Sequence, residues 1–227
     1  MTFEYIRQSV FFFRQNIKIL AYINLPLIAL SNILLSQVYV PIDPDNFVKP
    51  SPSILLIPLL QLLMMSIYWG ASIFFMQSTL GNLSLTAGQA INASMRTWFK
   101  LLLVFVITSF GFIFGFMAFI VPGVYIAIRL SIADYICIAE NKNTLESLKL
   151  SWARTSEYVW LIFTGFATVI FTLFAMRLFA TGLVESIVNG SSLNIIVNIL
   201  FDFLNVIVMI FGFRIYCIIN DEDKNNS

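Results

Sequence analysis

Asn194, Asn198, Asp202 and Asn205 interrupt the last apolar stretch of the chain at spacings of four, four and three residues. On a helix such spacings fall within about 80° of one face, and Gly212 continues that face. Three amides and a carboxylate so aligned have two uses inside a membrane. They can hold neighbouring helices by hydrogen bonds, or they can line a pathway for a solute or lipid. A lipid-facing surface would penalise them, so the face is expected to point into a bundle or a wet cavity. Two further charges, Arg129 and Asp134, sit within "FIVPGVYIAIRLSIADYICIAENK". Five residues apart, they lie about 140° apart around a helix and are poorly placed to pair with each other.

Other chemistry is poorly provided for. The chain has no His, and its two cysteines, Cys137 and Cys217, are far apart in sequence. This removes imidazole bases, thiolate–imidazole pairs and His/Cys metal sites. There is no G-x-S-x-G, no H-E-x-x-H and no glycine-rich phosphate loop. The reading is a protein that is not an enzyme, with no cofactor, no metal and no catalytic residues. The N-x-S matches at Asn82, Asn92 and Asn189 read as chance patterns.

Composition sets the solvent. Of 227 residues 59% are apolar, 23 are Phe and only 11% are charged, and the mean hydropathy is +0.88. This is the composition of an integral membrane protein. A net charge of +1 gives no overall attraction to nucleic acid. Scanning for runs of about 17 to 25 apolar residues predicts six spans, at 19–40, 54–80, 99–121, 123–139, 158–180 and 193–219. They form one helical domain over residues 1–220, followed by a polar, disordered tail, 221–227. The charges in "MTFEYIRQSVFFFRQNIK" and the lack of a small-residue cleavage site argue against a removed signal peptide.

Loop charge orients the spans. With the N-terminus inside, Arg7, Arg14, Lys18, Arg96, Lys100, Lys142, Lys149, Arg154, Arg214 and Lys224 fall on the cytoplasmic side. Lys49 and Arg177 fall outside. The bias follows the positive-inside rule and predicts both termini in the cytoplasm. It requires 123–139 to cross, although that segment is short. In this topology Arg129 lies six residues in from Gly123 and Asp202 nine in from Leu193, both at outer ends. Those depths are about 9 and 14 Å, and an Arg129–Asp202 pair is expected. Asp134 has no assignable partner.

Pro122 and Gly123 read as the reversal between the third and fourth spans, where Pro lacks the N–H to continue one helix and suits the first turn of the next. Three basic amphipathic connectors precede outgoing spans: "RQNIK" at 14–18, "TAGQAINASMRTWFK" from Thr86 and "TLESLKLSWARTSEY" from Thr144. They suggest three repeated hairpin units whose connectors lie in the headgroup layer and attract anionic lipid. Small residues mark the expected inward faces. Thr164, Thr168, Thr172 and Ala175 align on the fifth span, and Thr108, Gly111, Gly115 and Ala118 on the third, where "GFIFG" is a GxxxG match.

Several of these segments carry a family pattern. "VPGVYIAI" with "LSIADYICIAENK" and "ESLKLSWARTSEYVWLI", flanked by "SVFFFRQNIKIL" and "NVIVMIFGFRIYCII", resembles the YciC-type family of uncharacterised bacterial inner-membrane proteins. The likeness covers nearly the whole chain and is densest from Val121 to Ile162. It implies a multi-pass protein of the bacterial inner membrane and supplies no activity to carry over. In the family pattern an apolar residue is usual near Arg129 and a Pro near Asp134, so both charges depart from it. The function expected is envelope or membrane maintenance through membrane lipids, a membrane-protein partner or a homo-oligomer. The alternative is a small transporter or channel that uses the last span's stripe.

Overall fold

The structure is a computed structural model, described for residues 2–36, 53–81, 83, 85–187 and 191–226. The Pro-rich loop up to Pro52, with Lys49, and the matches at Asn82 and Asn189 lie outside the described residues.

The described residues are helical, without strands, and fold as α1 (Thr2–Ser36), α2 (Ser53–Leu80), α3 (Ala87–Ala118), α4 (Ile120–Arg129), α5 (Ala133–Ala139), α6 (Thr144–Arg154), α7 (Val159–Ile187), α8 (Ser191–Leu204) and α9 (Val206–Asn226). Six segments among them are long and apolar enough to cross a membrane: Thr2–Leu35, Pro58–Leu80, Ala87–Ala118, Ile120–Ala139, Val159–Val184 and Leu193–Asp223. The fourth is full length at 20 residues, because it begins at Ile120 rather than Gly123. It is broken at 130–132 and the sixth is broken at Asn205. The first is kinked at Asn16, and the other three run through.

The three connectors take three forms. In α1 the amphipathic leader joins the span at a kink, where Asn16 has φ −109° and ψ 15°. Its side-chain amide donates to the Phe12 carbonyl at 3.1 Å and intrudes on the helix ladder there. In α3 the leader and the span are one uninterrupted helix, started by a capping box between Thr86 and Gln89. Only α6 is a separate helix, capped by the Asn143 side chain on the Glu146 N–H. Asn141, with φ 51°, makes the left-handed turn before it.

The reversal between α3 and α4 belongs to Phe119, which is fully extended. This corrects the turn assigned to Pro122 and Gly123. Pro122 sits in the first turn of α4, where its missing N–H costs nothing. Gly123 lies inside the helix and serves close approach instead: a Cβ there would stand 2.7 Å from the Phe116 backbone nitrogen, and one at Gly115 would stand 2.8 Å from the Gly123 Cα. The GxxxG pair therefore presses α3 onto α4.

The core gathers Leu20 and Ile23 of α1, Ile73 and Met76 of α2, Tyr135 and Ile136 of α5, and Met209 and Phe211 of α9. Tyr135 reaches across to donate to the Met209 carbonyl at 2.9 Å, and its ring fills the space left by Gly212. Two expectations are overturned. Thr164, Thr168, Thr172 and Ala175 face outward, and α7 buries Ile162, Gly165 and Val169 instead. Each of the three hydroxyls donates to the carbonyl four residues earlier at 2.7 Å, so none needs a partner helix. The tail, expected to be disordered, continues α9 to Asn226, with Asp223 2.8 Å from Arg154 and Glu222 accepting from Tyr158.

Candidate functional site

The stripe of the last span is half engaged within the bundle. Asn198 and Asp202 project from α8 toward Arg177 of α7, which donates through Nη2 to the Asn198 Oδ1 at 2.7 Å. Its Nη1 lies 3.5 Å from the Asp202 Oδ1. Asn32 of α1 donates to the other carboxylate oxygen at 2.8 Å and also to the Ile28 carbonyl. Three helices thus meet on one carboxylate. Asn194 lies on the same face with its Oδ1 buried and unpartnered, while Asn205 falls at the break and points outward.

Arg129 does not meet Asp202; Arg177 takes that place. The predicted fifth span ended at 180 and put Arg177 near its tip. The helix runs to Ile187, which leaves Arg177 ten residues from its end, level with Asp202. The longer span was the missing signal.

Arg129 ends α4 at 7% exposure and makes no ion pair among the described residues. Its guanidinium carbon sits 4.9 Å from the centroid of the Trp152 ring and 5.7 Å from that of Tyr125. The two rings meet edge to face, 5.9 Å apart at 90°, and form a corner around the cation. Ser151 and Thr155 fix the backbone by donating to the Arg129 carbonyl at 2.9 and 3.1 Å.

Asp134, also 7% exposed, lies in the first turn of α5 and accepts from the Trp69 indole N–H of α2 at 2.6 Å. Sequence reasoning missed this partner. The signal was there, since a buried tryptophan needs an acceptor for its one polar atom. Beside the pair opens an apolar cleft of about 410 Å³, walled by Phe112, Phe163 and Ile170, with Asp134 and Ser131 among its few polar groups.

The end of the bundle that carries Thr2 and Asn226 is ionic. Arg154 of α6 joins Glu140 at 2.5 Å and Asp223 of α9 at 2.8 Å, and Tyr216 donates to Glu140 at 3.3 Å. Partial burial disfavours the Arg154 charge, but the bond and charge of Glu140 outweigh it and hold the guanidinium above its usual range. Lys142, exposed and 2.7 Å from Glu146, is likewise held above the usual lysine range by that hydrogen bond and charge. At the same end a cavity of about 560 Å³ lies between the α1 leader, α2 and α9. Phe11, Phe12, Ile210 and Phe213 give it apolar walls, and Arg7 and Arg214 a cationic side. Gln8 accepts from the Arg214 Nε at 3.0 Å.

No cluster of three or more His, Cys, Asp or Glu suited to a metal ion occurs among the described residues. The sequence profile of UPF0259, described as an uncharacterised protein family, matches residues 53–218, which is most of the chain and contains the broken fourth span and the stripe. The chain belongs to the UPF0259 family. It is 30% identical over 135 residues to a UPF0259 membrane protein of Buchnera aphidicola, covering 57% of this chain and 53% of that one. It is 26% identical over 140 residues to a UPF0259 membrane protein of Photorhabdus laumondii, covering 61% and 53%. The matches thus span about half the length of these curated relatives. No solved structure matches the chain. This multi-pass membrane protein of the UPF0259 family therefore has the identity that its Pro-Gly and Ser-Trp segments suggested.

Proposed function

We propose that this UPF0259 protein is a non-enzymatic protein of the bacterial inner membrane, with both termini cytoplasmic, that supports the envelope by binding phospholipid. The observation that carries this reading is the cavity between α1 and α9. A phospholipid presents an anion joined to an apolar chain, and the cavity offers Arg7 and Arg214 beside Phe11, Phe12, Ile210 and Phe213. Arg7 has no ion pair or hydrogen bond among the described residues, so its charge is available to a headgroup. The basic leader of α1 adds Arg14 on the same amphipathic helix. Delipidated protein is expected to take up phosphatidylglycerol in native mass spectrometry, and Arg7→Gln with Arg214→Gln to weaken that uptake roughly tenfold. Unchanged uptake by the double variant would sink the reading. The transport alternative draws on the stripe, whose Asn198 and Asp202 are engaged by Arg177 and Asn32. Its test is flux into proteoliposomes that Asp202→Ala abolishes.

A further inference from the structure

Arg129 poses a problem that its aromatic corner only half solves. Trp152 and Tyr125 meet the cation through ring faces, and a ring face answers charge without accepting a conventional hydrogen bond. The guanidinium has five N–H donors in a planar fork. None has a protein acceptor among the described residues, and the Nε is fully buried without one. Leaving such donors unmet in a low-dielectric setting is costly. An arginine held in this way suits a ligand with several anionic oxygens arriving at the edge of the fork.

The surroundings say which ligand. Arg129 is tied through its carbonyl to Ser151 and Thr155. The residue before Thr155, Arg154, belongs to the ionic cluster with Glu140 and Asp223. Through Thr155, Arg129 touches the chain four residues before the fifth span begins at Val159. Tyr125 and Trp152 are 43% and 41% exposed on the outer surface, as befits aromatic side chains at a membrane interface. A buried cation with unmet donors, flanked by two half-exposed aromatic rings at the foot of a span, suits one abundant class of membrane anion.

We propose that Arg129, cornered by Tyr125 and Trp152, is a lateral site for the phosphodiester of a membrane phospholipid. This site shares no residue with the α1–α9 cavity, so either can fail alone. The full chain in mild detergent would be titrated with phosphatidylglycerol, diacylglycerol and inorganic phosphate, and read by native mass spectrometry and thermal unfolding. The wild type is expected to hold two phosphatidylglycerol molecules and to gain several degrees in Tm, roughly the effect of a ligand well above its Kd. Arg129→Gln should lose one of the two, with about tenfold weaker binding. Arg7→Gln with Arg214→Gln should lose the other and keep the Arg129 site. Should Arg129→Gln fail to fold, Arg129→Lys, which keeps a charge but lacks the fork, should bind several-fold more weakly. Equal lipid retention by the Arg129 variants and the wild type would overturn the proposal. So would diacylglycerol matching phosphatidylglycerol, or inorganic phosphate alone giving the whole effect.

Discussion

Arg129 and Arg177 are both arginines within apolar spans, and the protein accommodates them in opposite ways. Arg177 has an anion: Asp202 lies across from it, Asn198 accepts from it and Asn32 completes the carboxylate. Among the described residues Arg129 has no carboxylate, only two ring faces, and it is the more deeply buried of the two. The first solution cross-links α1, α7 and α8 and uses up its hydrogen-bonding capacity internally. The second leaves guanidinium donors without an acceptor among the described residues. An ion pair is thus structural glue here, whereas a cation–π corner leaves an arginine's hydrogen-bonding capacity unmet.

Substitutions can break this contrast. The largest effect is expected from Arg177→Leu, which strands Asp202 beside Asn32. The groups are about one-third exposed, so the loss should fall between surface and buried limits, at about 1–3 kcal/mol. Adding Asp202→Leu should restore much of it, as unfolding in detergent would show; strictly additive losses would dissolve the pair. Trp69→Phe removes the donor to Asp134 and should cost about 2 kcal/mol, while Asp134→Asn, which keeps an acceptor, should cost less than about 1. Trp152→Leu uncovers a buried cation and should cost about 1–2 kcal/mol, an effect that shrinks when Arg129 is already Leu. Arg129→Leu itself should stay within about 1 kcal/mol of the wild type, because the lost ring contacts are offset by no longer burying a charge. Its effect should be additive with Asp202→Asn.

The smallest effect belongs to Lys142 and Glu146. The lysine pKa is raised by Glu146, so the pair's stabilisation is complete below the usual lysine range and is lost as pH climbs through the higher folded value. Lys142→Gln should therefore differ from the wild type at neutral pH and converge with it in strong alkali or high salt. A difference that grew with pH would contradict that sign.

Apolar run length is a property of the chain itself and revealed six spans before any contact was known, while the resemblance of the Pro-Gly and Ser-Trp segments pointed to the family. Partner choice was harder to read. Asp202 was matched to Arg129 by depth below the outer ends of their spans, with Arg177 placed outside, and seven more helical residues in α7 change which arginine is level with it. Asp134 found a tryptophan, a donor that charge counting never considers. The turn moved to Phe119 because Gly123 was needed for contact rather than for reversal. In each case the deciding quantity was a distance between helices, and spacing along a single helix does not contain it.

The outward threonines of α7 carry one more consequence. Thr164, Thr168 and Thr172 each turn the hydroxyl back onto their own helix and leave a methyl group toward the surroundings. Seen from the lipid, that surface is nearly what valine would present. Over evolutionary time these three positions are free to drift between Thr and small apolar residues, so variation there would be a poor guide to any loss of function.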